Sequence, residues 1–169
     1  MRTNLKIVLF ILPLVFWSCS VKYSLTGASI SPETKTFQVN YFQNNSTLIE
    51  PGIDRDFTNK LIDLLINQTS LDLVKSNGDL LYEGDIVEYR ISPTTATANN
   101  TAAQNRLTIG VNVRFIDKSD SEAEFEKRFS FYYDYPGSSQ LIGSQKDIAI
   151  DEIFERITQD VFNASLAKW

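Results

Sequence analysis

The sequence predicts an α+β domain, a two-layer sandwich with two helices packed on one face of a small, mostly antiparallel sheet. Three observations carry that expectation. The apolar pattern runs strand, helix, several strands, helix. The later strands follow one another through turns, as antiparallel neighbours do. Only two amphipathic helical stretches exist to cover the sheet, which leaves its other face open.

Taken in order, "KTFQVNYF" (Lys35 to Phe42) alternates, with Phe37, Val39 and Tyr41 on one side of a half-buried strand. "NNSTLIEPG" is turn-rich and predicts a loop. From Ile53 the period lengthens: Ile53, Phe57, Leu61, Leu64 and Leu65 recur at helical spacing as far as Thr69, with Asp54 and Asp56 at the positive end of the helix. "LDLV" predicts a short strand, and Asn77-Gly78 supplies the positive φ angles of a tight hairpin turn.

The segment from Asp79 to Ile91 predicts a long strand, with Gly84 as a bulge or bend. Ser92 to Asn105 has no large apolar residue and predicts a mobile hairpin tip. In "RLTIGVNVRFI", Leu107, Ile109, Val111, Val113 and Phe115 share one face of a strand. An acidic turn follows, then a last strand from Phe125 to Tyr135 that Pro136-Gly137 breaks. Ser144 with Asp147 forms a capping box, and Ile150, Ile153, Phe154, Ile157, Val161 and Phe162 give a C-terminal helix.

The first twenty residues have a separate logic. Arg2 and Lys6 precede an apolar run from Ile7 to Trp17, and Ser18 stands before Cys19, the layout of an export signal. The run falls well short of the ~20 apolar residues that a membrane-crossing helix needs. Cys19, the sole cysteine, stands where a bacterial lipoprotein signal places its acylated thiol, although Phe16 replaces the usual leucine of a lipobox. The competing reading is a plain exported protein with a cysteine near its cleavage site. The expected division is a signal peptide over 1–18, a lipidated tether over 19–34 and a single domain over 35–169. Two or three acyl chains would hold the protein stably to a membrane, whereas one chain anchors only marginally. No aspartate follows Cys19, which favours the outer membrane over retention in the inner one.

Composition removes several function classes. The chain is 43% hydrophobic and 12% aromatic, enough to bury a core. Its net charge is −5, which becomes −7 once Arg2 and Lys6 leave with the signal, the wrong sign for a sequence-independent nucleic-acid binder. It has no histidine, so the commonest general base and zinc ligand are missing. Acylation of Cys19 would leave no thiol. The expectation is a non-enzyme with no cofactor and no metal. Ser165 and Lys168 match an S-x-x-K pattern but lack its partner motifs, and predict only a polar helix end. Asp117, Asp120, Glu122 and Glu124 lack the spacing of a calcium loop and predict a solvated turn.

Strand parity singles out one further group. If Leu107 to Phe115 face the helices, Arg106 and Arg114 face away, and the same count puts Arg90 and Arg128 on the open face. These four arginines are the candidate site for a partner or an anionic ligand, because guanidinium pairs with phosphate or carboxylate bidentately. The alternative is a solvated sheet face with Glu88 and Glu126 as counter-charges.

The blocks "LTGASI", "KTFQVNYF", "NQTSLDLV" with "NGDLLYEGDI", "TAAQNRLTIGVNVRF" and "DVFNASLAKW", in that order, resemble the LptE family of lipopolysaccharide-assembly lipoproteins. The resemblance spans nearly all of the chain after Cys19 and implies two helices on a small sheet. It also implies a lipoprotein lodged in the LptD β-barrel, the two forming the outer-membrane translocon that delivers lipopolysaccharide to the cell surface. Cys19 takes the place of the family's lipidated cysteine. A periplasm-facing lipoprotein that binds a small ligand or another envelope protein is the alternative function.

Overall fold

The computed structural model describes residues 30–96 and 102–167. The expected signal, Cys19, the hairpin tip at 97–101 and Lys168 lie outside the described residues. The elements are β1 (Thr36–Val39), β2 (Gln43–Asn44), α1 (Ile53–Gln68), β3 (Asp72–Leu73), β4 (Leu80–Ala96), β5 (Ala102–Asp117), a 3-10 turn at Ser121–Ala123, β6 (Phe125–Pro136) and α2 (Gly143–Leu166). The six strands form one open mixed sheet in the order β3-β1-β4-β5-β6, with β2 also on β4. The long β4–β5–β6 meander is antiparallel, and the short β1, β2 and β3 contacts are parallel. The α+β class holds, with two helices above a predominantly antiparallel sheet.

The core lies between sheet and helices. Leu107, Ile109, Val111, Val113 and Phe115 of β5 are all fully buried, as are Phe57, Leu61 and Leu65 of α1 and Ile153, Ile157 and Val161 of α2. Phe57 joins the layers, its ring edge-on to Phe42 at 5.0 Å and to Phe154 at 5.1 Å. Such offset aromatic contacts add to plain apolar burial. Tyr82 on β4 is buried, and its hydroxyl lies 2.9 Å from Ser165 Oγ on α2. Ser165 is therefore a buried partner of the core rather than a polar helix end.

Several local expectations are corrected. The first strand ends at Val39, because the chain breaks from the ladder and turns Phe42 inward while Tyr41 is 55% exposed. Gly84 is the cause: a Cβ there would lie 1.9 Å from Asn112 O and 2.8 Å from the Phe42 ring. Gly84 marks this close approach, and the register shift comes later, between Ile86 and Glu88. Asn77 does take positive φ (61°), yet β3 and β4 flank β1 on opposite sides, so its turn is a crossover and not a hairpin. Most of Ser92 to Asn105 is strand, since Ser92, Pro93, Thr95 and Ala96 pair with Arg106, Asn105, Gln104 and Ala102. Backbone pairing needs no large side chain, which is why composition missed it. α2 begins at Gly143 with no side-chain cap, so Ser144 and Asp147 form no capping box.

Candidate functional site: the open face of the sheet

Register settles which side chains share the open face. Reading across β4, β5 and β6, the rows are Glu83, Arg114, Glu126; then Asp85, Asn112, Arg128; then Glu88, Gly110, Ser130; then Arg90, Thr108, Tyr132; then Ser92, Arg106, Asp134. Arg90, Arg106, Arg114 and Arg128 therefore stand on one face, opposite the buried β5 residues. Each is held by a carboxylate, so the face is a lattice of ion pairs. Glu83, Asp85, Glu88, Glu126 and Asp134 outnumber the arginines by one.

The pairs differ in strength. Arg106 grips Asp134 with two parallel bonds, Nε to Oδ1 at 2.7 Å and Nη2 to Oδ2 at 2.8 Å, and its guanidinium lies 3.5 Å above the Tyr132 ring. The bidentate bond drives the Asp134 carboxyl below its ordinary value and raises the guanidinium. Glu88 bridges two arginines: Oε1 accepts from Arg90 Nε at 2.9 Å, and Oε2 accepts from Arg128. Arg114 Nη1 donates to Glu83 at 3.1 Å. The side chains of Arg90, Arg114 and Arg128 stay 59%, 54% and 52% exposed, against 33% for Arg106. A guanidinium carries five N–H donors, so the exposed three keep donors directed at solvent.

Sequence reasoning missed Gly110. Arg128 must cross over β5 to reach Glu88 on β4, and a Cβ on Gly110 would lie 3.0 Å from its Nε and Nη2. A glycine inside a clean strand pattern was the available signal. Asp134 and Tyr132 were also missed as partners of Arg106, because only the register reveals who stands opposite whom. Where β1 breaks away beside Gly84, a recess of about 460 Å³ opens on the same face, lined by Asn40, Tyr41, Glu83, Asp85, Arg114 and Glu126. Among the described residues no cluster of acids is arranged to hold a metal ion, and no helix is long and apolar enough to cross a membrane.

The fold and this face define a small α+β domain that offers a paired-charge surface. The chain matches the LptE family, described as lipopolysaccharide-assembly, over residues 34–165, and it belongs to that family. Among solved structures it is similar to the hypothetical protein CT253 from Chlamydia trachomatis, with 11% identity, 80% of this chain and 99% of that one covered, and a TM-score of 0.54. That likeness bears on the fold alone. It is also similar to the rare lipoprotein B from Shewanella oneidensis (11% identity, 75% and 89% covered, TM-score 0.49) and to lipoprotein B from Nitrosomonas europaea (11%, 76% and 79%, 0.49). No curated protein sequence matches the chain.

Proposed function

We propose that this LptE-family chain is an outer-membrane lipoprotein, anchored through acylated Cys19 after loss of residues 1–18, tethered by 19–34 and folded as one domain from 35. It acts as plug and scaffold for an LptD-like β-barrel and assists delivery of lipopolysaccharide to the surface. The observation that carries the reading is the open sheet face, where Arg90, Arg114 and Arg128 are fixed by carboxylates yet half-exposed. Fixed guanidinium groups lose little further entropy on binding. Nearly balanced charge lets the face sit against the polar interior wall of a barrel, with rim charges setting orientation. Lipopolysaccharide phosphates would bind by the same bidentate chemistry, exchanging places with Glu83 or Glu88.

The direct test is affinity purification of the tagged lipoprotein from detergent-solubilised outer membrane. A large β-barrel should copurify, and acyl-chain labelling should vanish when Cys19 becomes alanine. Recovery without a barrel would leave the small-ligand reading, for which the recess beside Arg114 is the place to look.

A further inference from the structure

Charge is not spread evenly along the open face. Toward the Ser92 end of β4, Arg90, Arg106 and Arg128 stand against two carboxylates, Glu88 and Asp134. Around the recess beside Gly84 the balance reverses, with Arg114 against Glu83, Asp85 and Glu126. Two of those three carboxylates lack a cation. Glu126 is exposed and, among the described residues, makes no hydrogen bond or ion pair, because the Arg114 guanidinium turns to Glu83 on its other side. Asp85 accepts only from the Asn45 amide, at 3.0 Å; Arg128 starts in its row, but its guanidinium crosses over Gly110 to Glu88. The recess of about 460 Å³ falls in the ~300–1,000 Å³ range of small-ligand sites, and the Tyr41 ring, 55% exposed, forms part of its wall. The Tyr41 hydroxyl faces Asp54, which leaves the ring itself open.

We propose that the recess receives an arginine side chain from the wall of the barrel. This rests on the docking role above and adds the chemistry of the partner at one position. Three features select a cation there: the excess of carboxylates, the two acceptors without a counter-charge, and an aromatic face that attracts positive charge. Arg114, fixed on Glu83, frames the recess rather than filling it. Among cations a guanidinium fits best. Its planar fork carries five donors, enough to bond Asp85, Glu126 and the Asn112 carboxamide together, and it stacks on a tyrosine ring, whereas an ammonium is compact and strongly hydrated. Phosphate is repelled from this end and drawn to the arginine-rich one. The domain therefore docks in one orientation, its acidic end on the arginine of the wall and its basic end left for anionic groups.

The test compares the tagged full-length parent with Glu126→Gln and with the double variant Asp85→Asn, Glu126→Gln, each purified from detergent-solubilised outer membrane. Glu126 bonds nothing within the domain, so E126Q should match the parent in circular dichroism and urea unfolding. Barrel retained through a high-salt wash should nevertheless fall about fivefold in E126Q and about tenfold or more in the double variant, as when one partner of a desolvated charge pair is removed. In the isotope-labelled parent, methylguanidinium should shift the Gly84 and Asn112 amides, and inorganic phosphate those of Arg90 and Arg106 instead. Barrel retention at the parental level in both variants, or phosphate shifting Gly84 as strongly as methylguanidinium, would overturn the proposal and leave the docking role standing. A parent that recovers no barrel would overturn the docking role itself, and this proposal with it.

Discussion

The two faces of β5 are built from alternate residues of the same strand and have nothing else in common. One carries Leu107, Ile109, Val111, Val113 and Phe115, fully buried under the helices. The other carries Arg106, Thr108, Gly110, Asn112 and Arg114, inside a lattice of ion pairs. The contrast separates what holds the domain together from what it offers to others. Burial stabilises by about 25 cal/mol for each Å² of apolar surface, whereas exposed ion pairs contribute ~1 kcal/mol or less. The open face can thus be altered at little cost to folding.

The largest effect that sharpens this contrast should come from the buried side. Phe115→Ala removes a fully buried ring packed 5.0 Å from Tyr82. It should cost about 3–5 kcal/mol in urea unfolding. A loss of only a few tenths would mean that the helical layer closes over the gap. The two strand glycines come next. Gly84→Ala drives a methyl into the Asn112 carbonyl, a backbone group that cannot yield, and should cost about 1–3 kcal/mol or more. Gly110→Ala meets the Arg128 guanidinium at 3.0 Å, which can swing aside, and the Glu88 Cβ at 3.2 Å, but no backbone group, and should cost less. Reversal of that order would show the ion-pair lattice to be as rigid as the core.

The faces also divide in their response to pH. On the buried side, burial and then the nearby Glu50 push the Tyr89 phenol up to about 12. A group whose value is raised on folding stabilises fully below its unfolded value, so stability should fall as pH rises from 10 toward 12. Tyr82, deeper still, is raised further by burial. Tyrosinate absorbance in an alkaline titration should lag for these two and appear together with unfolding; early, full ionisation would contradict their burial. At the sheet's start, Asp79 accepts from the N–H of Lys35 and from the hydroxyl and N–H of Thr36, which holds its carboxyl below the ordinary value. Its contribution is present above the ordinary carboxylate range and is lost as pH falls through the lowered value. The protection of β1 amides relative to their intrinsic exchange rates should therefore fall in acid, and in Asp79→Asn already at neutral pH.

The fold was legible wherever the apolar period was unbroken: the β5 face, α1 from Ile53 and most of α2 follow directly from spacing. It was illegible where backbone decided. Phe42 reverses parity because Gly84 makes room for it, and the β4–β5 ladder runs through polar residues whose pairing leaves no mark on composition. The open-face arginines follow from period-two counting. Their partners do not, because Arg106 and Asp134 are 28 residues apart and meet only through the β5–β6 register.

The smallest expected change in stability belongs to the variant that matters most for function. Arg114→Glu with Arg128→Glu should shift unfolding by less than about 1 kcal/mol, since both side chains are half-exposed. Copurification of the barrel, or retention of lipopolysaccharide by the purified lipoprotein, should fall steeply, and the parent's own binding should weaken with added salt. A double variant that folds like the parent and still holds barrel and lipopolysaccharide at parental levels would reduce the open face to a solvated lattice of charges and contradict the proposed docking role.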